Sequence, residues 1–137
     1  MQQFKYMPRE IWPVESQHVE YEVVYRGVHN SEDLEIEDFL PWNVEHKNQK
    51  KTFKNLFEQP EYGMSTYTDL DTLKSIVEKY PKLNKATKAY AKGFTSIRRG
   101  ISLEENKQHH VEYFLYDYEN NSPKDDFVIV EVRKEDE

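Results

Sequence analysis

Residues 63–81 read GMSTYTDLDTLKSIVEKYP and contain the clearest change from strand to helix in this sequence. Residues 63–67 predict a short strand, and Thr68 is a residue type that caps helices. Apolar residues then recur at helical spacing, namely Leu70, Leu73, Ile76, Val77 and Tyr80. Pro81 predicts the end of this run. The stretch therefore predicts a strand followed by an amphipathic helix.

A second strand is predicted at residues 19–28, where side chains alternate between two types. The first set is predicted to face the core and consists of Val19, Tyr21, Val23 and Tyr25. Arg26 falls on the other face of this strand, just before Gly27. After it, residues 31–39 predict a short helical turn.

The second half of the chain predicts further strands and one more helix. Residues 110–118 and 127–132 predict two long strands that pair with each other in antiparallel fashion. Residues 84–92 predict a short helix that ends at Gly93. Weaker patterns predict short strands at residues 94–97 and 101–103 and a helical segment at 51–57.

Strands at both ends with helices between them predict an α+β fold: a mostly antiparallel sheet with one or two packed helices in the middle of the chain. The length of 137 residues suits a single domain over residues 1–137. Within it, residues 1–18 are predicted to be an N-terminal extension and residues 133–137 a frayed charged tail.

The composition excludes several classes of protein. The chain contains no cysteine, so disulfides and thiolate nucleophiles are absent. No stretch reaches the roughly 18 apolar residues of a membrane helix, and the first ten residues lack the apolar run of a secretory signal. The expected location is cytoplasmic and the expected partners exclude a membrane.

The charge is distributed unevenly around a net value of −7. Residues 10–45 are rich in Asp and Glu and contain Arg26 as their one Lys or Arg. Carboxylates interleaved with aromatic side chains suit docking on a basic protein. The candidate partner-binding residues are Glu32, Asp33, Glu35, Glu37, Asp38 and Trp42. The first hypothesis is a small acidic, non-catalytic interaction protein that docks on a basic partner. Inhibition of a nucleic-acid-binding protein is one form that this role could take.

Residues 79–99 are basic and contain no Asp or Glu. If residues 84–92 are helical, their lysines line one helix face and form a basic stripe, continued by two arginines. The stripe comprises Lys82, Lys85, Lys88, Lys92, Arg98 and Arg99. Nucleic-acid or nucleotide binding through this stripe is a third hypothesis, although the overall acidity opposes it. A solvated helix face is the favoured interpretation of the stripe.

Other common sites are not predicted. His109 and His110 are adjacent, so in a strand their rings point to opposite faces and do not share one metal ion. No metal is therefore expected. The glycines are too far apart for a phosphate-binding loop, and Ser65 lacks the context of a nucleophile elbow.

Two resemblances add to these patterns. The sequence pattern YRGV at residues 25–28, EDFL at 37–40 and GMSTY at 63–67, with His110 later, resembles a family of small uncharacterised bacterial and phage proteins. That resemblance implies a bacterial or phage origin and no particular activity. The Lys, Asn and Tyr content also fits a low-GC genome.

The second resemblance is to ADP-ribosyltransferases of the Arg–Ser–Glu type, in which an early strand Arg, a Ser-Thr-Ser strand and a late Glu surround NAD. Arg26 in Tyr-Arg-Gly would be the first element, and Thr95-Ser96 resembles the second. Glu112 or Glu131 would be the third. The resemblance implies an active or decayed NAD-binding domain. Ile97 replaces the last Ser, and the predicted strand at residues 127–132 has no Glu-x-Glu; the one near the C-terminus, at residues 135–137, falls in the predicted charged tail.

Overall fold

The computed structural model describes residues 18–39, 64–105 and 109–134. Six strands are present in these ranges: β1 (Val24–Val28), β2 (Met64–Tyr67), β3 (Ala89–Gly93), β4 (Gly100–Glu105), β5 (His110–Leu115) and β6 (Phe127–Val132). Two α-helices connect β2 to β3: α1 (Leu70–Lys79) and α2 (Pro81–Ala86). Two short 3-10 turns lie at Ile36–Phe39 and Pro123–Asp126.

The strands form a six-stranded sheet in the order β4-β5-β2-β1-β3-β6, and every neighbouring pair is antiparallel. This confirms the predicted α+β fold with a mostly antiparallel sheet. The pairing is uneven around β1. It pairs with β3 at five positions, from Val24–Gly93 to Val28–Ala89, but with β2 only at Tyr25–Tyr67. We call the β1–β2 contact the open seam and the β1–β3 contact the closed seam.

Both faces of the sheet are covered. On one, the core face, the largest apolar cluster joins Val24 and Val28 of β1 to Tyr113 of β5 and Phe127 of β6. On the other, the helix face, Leu73 and Val77 of α1 pack on aromatic residues of three strands. Those aromatic residues are Tyr25, Tyr67 and Tyr90. The helix therefore spans the open seam.

Helix α1 confirms the strongest sequence prediction, with one change at its start. Asp69, not Thr68, is the N-cap, and its Oδ2 accepts the Thr72 N–H at 3.0 Å. The Thr72 hydroxyl donates to the same oxygen at 2.7 Å, and the two hydrogen bonds hold the pKa of Asp69 below its ordinary value. The helix ends at Lys79 with Tyr80 as its C-cap, just before Pro81 as predicted, and Pro81 then begins α2, where a missing N–H costs nothing.

The predicted strand at residues 19–28 is shorter than expected, and its core face was assigned wrongly. The strand begins at Val24, and Val19 and Val23 are exposed. Val24, Arg26 and Val28 are the buried residues on the core face. The error has a physical reason: both faces of β1 are covered, so alternation of residue types does not identify the core.

The predicted helix at residues 84–92 is also wrong. Its first residues belong to α2, but Ala89–Gly93 is strand β3. Small residues suit β3 because it lies between β1 and β6, and a Cβ on Gly93 would approach the Phe127 ring to 2.4 Å. Tertiary packing here overrides the helical spacing of the alanines. Likewise, residues 94–97 form a connection and not a strand.

Strand β6 has the predicted bounds but not the predicted partner. It pairs with β3 at one edge of the sheet, whereas β5 pairs with β4 and β2. The connection between β5 and β6 is held by Asn121, which donates to the carbonyl of Tyr116 at 2.6 Å. Asp126 at its end forms an ion pair with Arg99. These contacts order a connection between two strands that are not neighbours in the sheet, so β5 and β6 do not form a hairpin.

Several sequence predictions fall outside the described residues. They include the helical segment at 51–57 and nearly all of the N-terminal extension. His18, the last residue of that extension, accepts the Ser102 N–H at 2.9 Å through its Nδ1. Arg133, the first residue of the predicted tail, donates to the carbonyls of Asn84 and Thr87.

Candidate functional site

A polar cluster on β2 and β5 is the most concentrated group of reactive side chains in the described residues. Ser65 and Glu112 are register partners, and the Ser65 hydroxyl donates to Glu112 Oε1 at 3.3 Å. His110 Nε2 lies 2.9 Å from the same Oε1 and 3.1 Å from Ser65 Oγ. His110 and Glu112 are two residues apart in a strand, so both point to the helix face. We call these residues the Ser65–His110–Glu112 cluster.

The cluster is buried unevenly. The Glu112 side chain is 3% exposed and that of His110 is 16% exposed, so His110 is on the solvent side. The Tyr67 ring lies against the imidazole, with 4.9 Å between ring centroids. A carboxylate at this depth is costly unless hydrogen bonds compensate the lost water. Ser65 and His110 supply such bonds and fix the orientation of the carboxylate.

The cluster is not a hydrolase triad, although it contains Ser, His and a carboxylate. In a triad, one imidazole nitrogen faces the serine and the other faces the acid. Here Nε2 of His110 contacts both Ser65 Oγ and Glu112 Oε1. Both Ser65 and His110 therefore contact the same carboxylate oxygen and orient Glu112.

Arg26 approaches this cluster from the other side of the sheet. It shares the core face with Val24 and Val28 and is 7% exposed. Its Nη1 donates to the carbonyl of Ser65 at 2.7 Å. Since the register pairing of β1 and β2 is limited to Tyr25–Tyr67, this side chain bridges the two strands where that pairing has ended. Ser65 thus contacts Arg26 through its carbonyl and Glu112 through its hydroxyl.

The guanidinium is also fixed at its other end. Its Nε donates to the carbonyl of Asp38 at 2.6 Å. Asp38 itself is fully buried, and its carboxylate accepts the N–H groups of His29 and Glu35 at 2.7 and 2.9 Å. Asp38, a candidate partner-binding residue in the sequence, is therefore a structural residue that orders the loop after β1.

Thr95, Ser96 and Glu131, the other residues of the transferase resemblance, make different contacts. Thr95 is 2% exposed, and its hydroxyl oxygen accepts hydrogen bonds from Tyr21 N–H and Ser102 Oγ. Ser96 bonds through its backbone to the Tyr113 hydroxyl. Glu131 is exposed and forms an ion pair with Lys74 of α1 at 2.6 Å. The Ser hydroxyl that contacts Glu112 is that of Ser65.

The basic stripe is divided among several elements. Lys82 and Lys85 are exposed on α2, Lys88 precedes β3, and Lys92 is on β3. Arg98 is exposed in the turn before β4, whereas Arg99 is bonded to Asp126 through two nitrogens. The prediction of one helical stripe is wrong because residues 89–93 are a strand.

The acidic candidates Glu32, Asp33, Glu35 and Glu37 are exposed around the first 3-10 turn. Trp42 lies outside the described residues, as does the basic cluster at 47–54. His109 occupies a turn with φ of 60° before β5, so only His110 is in the strand.

Two residues of the cluster, Ser65 and His110, were missed as site residues by sequence reasoning. A signal for His110 was present: His-x-Glu in a strand places both side chains on one face. No comparable signal identified Ser65, because its contact with Glu112 depends on the pairing of β2 with β5.

No group of three or more His, Cys, Asp or Glu side chains suited to a metal ion occurs in the described ranges. Nor is any helix within them long and apolar enough to cross a membrane. No protein-family model, curated protein or solved structure matches the chain.

Proposed function

We propose that the domain binds NAD and transfers its ADP-ribose group, with Arg26, Ser65 and Glu112 as the principal residues. One observation supports this most: the three residue types that the transferase resemblance implies are joined through Ser65 across three neighbouring strands. Ser65 takes the place that the resemblance gave to Ser96. The cytoplasmic location expected from the composition suits a substrate found inside cells.

Each side chain has a chemical role in this proposal. Arg26 lies on the core face, opposite Glu112, and acts there as a positioning residue: its guanidinium holds the carbonyl of Ser65 and so fixes the serine that contacts the carboxylate. Glu112 accepts a hydrogen bond from a ribose hydroxyl and stabilises the positive charge that develops on the ribose. Ser65 and His110 hold the carboxylate in place, since both contact its Oε1.

In the reaction, the bond between the ribose C1′ and nicotinamide breaks, and nicotinamide leaves with the bonding electron pair. The acceptor forms the new bond at C1′ and gives up its proton. When water is the acceptor, the products are nicotinamide, ADP-ribose and a proton. Release of nicotinamide therefore reports the chemistry before the natural acceptor is identified.

Paired variants test the proposal. NAD should raise the melting temperature of the wild-type protein by mass action. Glu112→Gln should lower nicotinamide release by roughly 10²–10³-fold, the range typical for loss of one preorganised electrostatic contact. Ser65→Ala should also lower it, because the carboxylate loses an orienting bond.

Glu131→Gln and Ser96→Ala are the matched controls, since each alters the same chemical group outside the cluster. Both should retain wild-type nicotinamide release. Unliganded melting temperatures of all four variants separate loss of folding from loss of activity. If NAD neither shifts the melting temperature nor is cleaved, or if Ser96→Ala and Ser65→Ala behave alike, the proposal is wrong.

A further inference from the structure

Strand β6 presents an unusually apolar edge. In the described sheet it pairs with β3 on one side only. Val128, Val130 and Val132 are 63%, 46% and 52% exposed. Edge strands of soluble proteins commonly carry charges or Pro that discourage pairing with another chain. In β6 the charged residue is Glu131, which is paired with Lys74 of α1, and the register against β3 shifts opposite Tyr90 and Ala91. The apolar stretch before Glu131, with the exposed Val128 and Val130, is the part of this edge suited to pairing.

An acidic groove of about 680 Å³ lies beside this edge. Its apolar wall includes Phe127, Val128 and Ile129 of β6. Its charged residues are Glu32, Asp33, Glu35, Asp125 and a single basic residue, Lys124. The four carboxylates are exposed and form no ion pair within the described part of the chain. A ligand in this groove therefore meets apolar side chains flanked by negative charge.

The loop that carries the carboxylates is held rigidly. The buried Asp38 carboxylate accepts hydrogen bonds from His29 N–H, Asn30 Nδ2 and Glu35 N–H. The Phe39 ring then contacts Phe127 of β6, with 5.1 Å between centroids. The acidic loop and the strand edge are thus fixed relative to each other, which lowers the entropy lost on binding.

We propose that the β6 edge and the acidic groove bind an extended, basic segment of a partner protein, which adds to the sheet as a further strand. Backbone hydrogen bonds to β6 would give affinity, and alternate side chains would give specificity. Charge complementarity selects the partner: valine-sized apolar residues face Val128, and Lys or Arg residues face Glu32, Asp33 and Glu35. The inference is independent of the proposed NAD site, because β6 is separated from β1 by β3.

A model peptide tests this with the full chain. The probe is a capped, fluorescent peptide of about ten residues in which Lys and Val alternate, as strand addition requires. Its anisotropy should show binding that weakens with salt. Glu32→Lys, Glu35→Lys and Asp33→Lys combined should weaken binding by roughly tenfold or more, as expected for three exposed charge pairs.

The control triple variant carries Glu20→Lys, Glu22→Lys and Glu119→Lys, which are exposed acids outside the groove with the same change in net charge. It should bind nearly as well as the wild type. For the apolar contact, Val128→Ser with Val130→Ser should weaken binding, whereas Val19→Ser with Val23→Ser, two exposed valines away from β6, should not.

A peptide N-methylated at alternate residues tests strand addition, because it lacks the backbone donors on one edge. It should lose binding when that edge faces β6, and the peptide methylated at the other residues should keep it. Equal weakening by the two triple variants, equal binding of both methylated peptides, or no binding at low salt would overturn the proposal. Concentration-dependent self-association that is abolished by Val128→Ser with Val130→Ser would instead assign the edge to a second copy of the chain.

Discussion

The two sides of strand β1 are joined to the sheet in different ways. At the closed seam, five register pairs connect β1 to β3, and the core-face residues of β3 are Ala89, Ala91 and Gly93. At the open seam, one register pair connects β1 to β2. Backbone hydrogen bonds therefore hold one side of the strand, whereas side chains hold much of the other.

Two side-chain devices stabilise the open seam. On the helix face, α1 packs across it, with Leu73 and Val77 against tyrosines from β1, β2 and β3. On the core face, the Arg26 guanidinium bonds the carbonyl of Ser65. The Ser65–His110–Glu112 cluster lies next to this seam.

The largest expected effect comes from weakening the packing of helix α1 across the open seam. Leu73→Ala truncates a side chain that is 4% exposed. It should lower the free energy of unfolding by about 2–5 kcal/mol, as for other buried leucines. Urea denaturation measures this change. Leu83→Ala on α2, where the side chain is 38% exposed, is the control and should have a much smaller effect. Equal effects would mean that α1 does not stabilise the seam.

The corresponding test on the other side of β3, where it pairs with β6, adds volume instead of removing it. A Cβ at Gly93 would lie 2.4 Å from Phe127 Cγ and 2.6 Å from the Asp126 carbonyl oxygen. Because one of these neighbours is backbone, Gly93→Ala should cost about 3 kcal/mol, the upper end for overpacking. Thermal unfolding of Gly27→Ala gives the comparison, since its nearest neighbour is the Thr87 side chain at 3.0 Å. A neutral Gly93→Ala would show that β3 and β6 separate easily.

How far the sequence predicts this fold depends on how local the signal is. Helix α1 and strand β6 follow from local patterns: apolar residues at helical spacing predict the helix, and a run of β-branched residues predicts the strand. The sequence did not predict which face of β1 lies on the core, because Tyr25 and Arg26 are both covered, each on its own face. The Ala residues of β3 fit a helix as well as a strand. The position of this segment between β1 and β6 determines that it is a strand.

The candidate site follows the same rule. Arg26 and Glu112 were chosen by resemblance, but the serine depended on which strands are neighbours. Ser96 is close to Arg26 in the family pattern, whereas in the structure β2 lies between β1 and β5 and brings Ser65 to Glu112. Strand order is a long-range property, and no local pattern in this sequence encodes it.

A smaller effect is expected from weakening the bridge across the open seam. Arg26→Lys keeps the charge but cannot reach two carbonyls with a planar fork. Leaving the Asp38 or Ser65 carbonyl without this donor should cost about 1–3 kcal/mol in unfolding free energy. Arg98→Lys, an exposed arginine, should cost little. Hydrogen exchange should locate the loss at β1 and β2; faster exchange confined to β6 would contradict the bridging role.

The smallest expected effect is on the pH dependence of stability, and it compares a tyrosine from each half of the sheet. Burial raises the pKa of Tyr113 on β5 well above its ordinary value, and the Ser96 backbone bond opposes this only in part. Burial also raises the pKa of Tyr90 on β3, where the positive charges of Arg133 and Lys74 partly offset it. In both cases the folded state favours the neutral phenol.

The sign of the effect follows from proton linkage. Below about pH 10, the ordinary pKa of tyrosine, both states keep the phenols protonated and the full stability is present. Above it, the unfolded state releases protons that the folded state retains, so stability falls as pH rises towards the folded pKa values. Tyr113→Phe should reduce this alkaline loss more than Tyr90→Phe, because burial raises the pKa of Tyr113 well above its ordinary value and Asp126 opposes the lowering by Arg99. Melting temperatures of the wild type and both variants between pH 8 and about pH 11 measure the difference. Parallel curves for all three proteins would show that neither phenol is held neutral by the sheet. A larger reduction of the alkaline loss in Tyr90→Phe would mean that Tyr90, and not Tyr113, causes most of it.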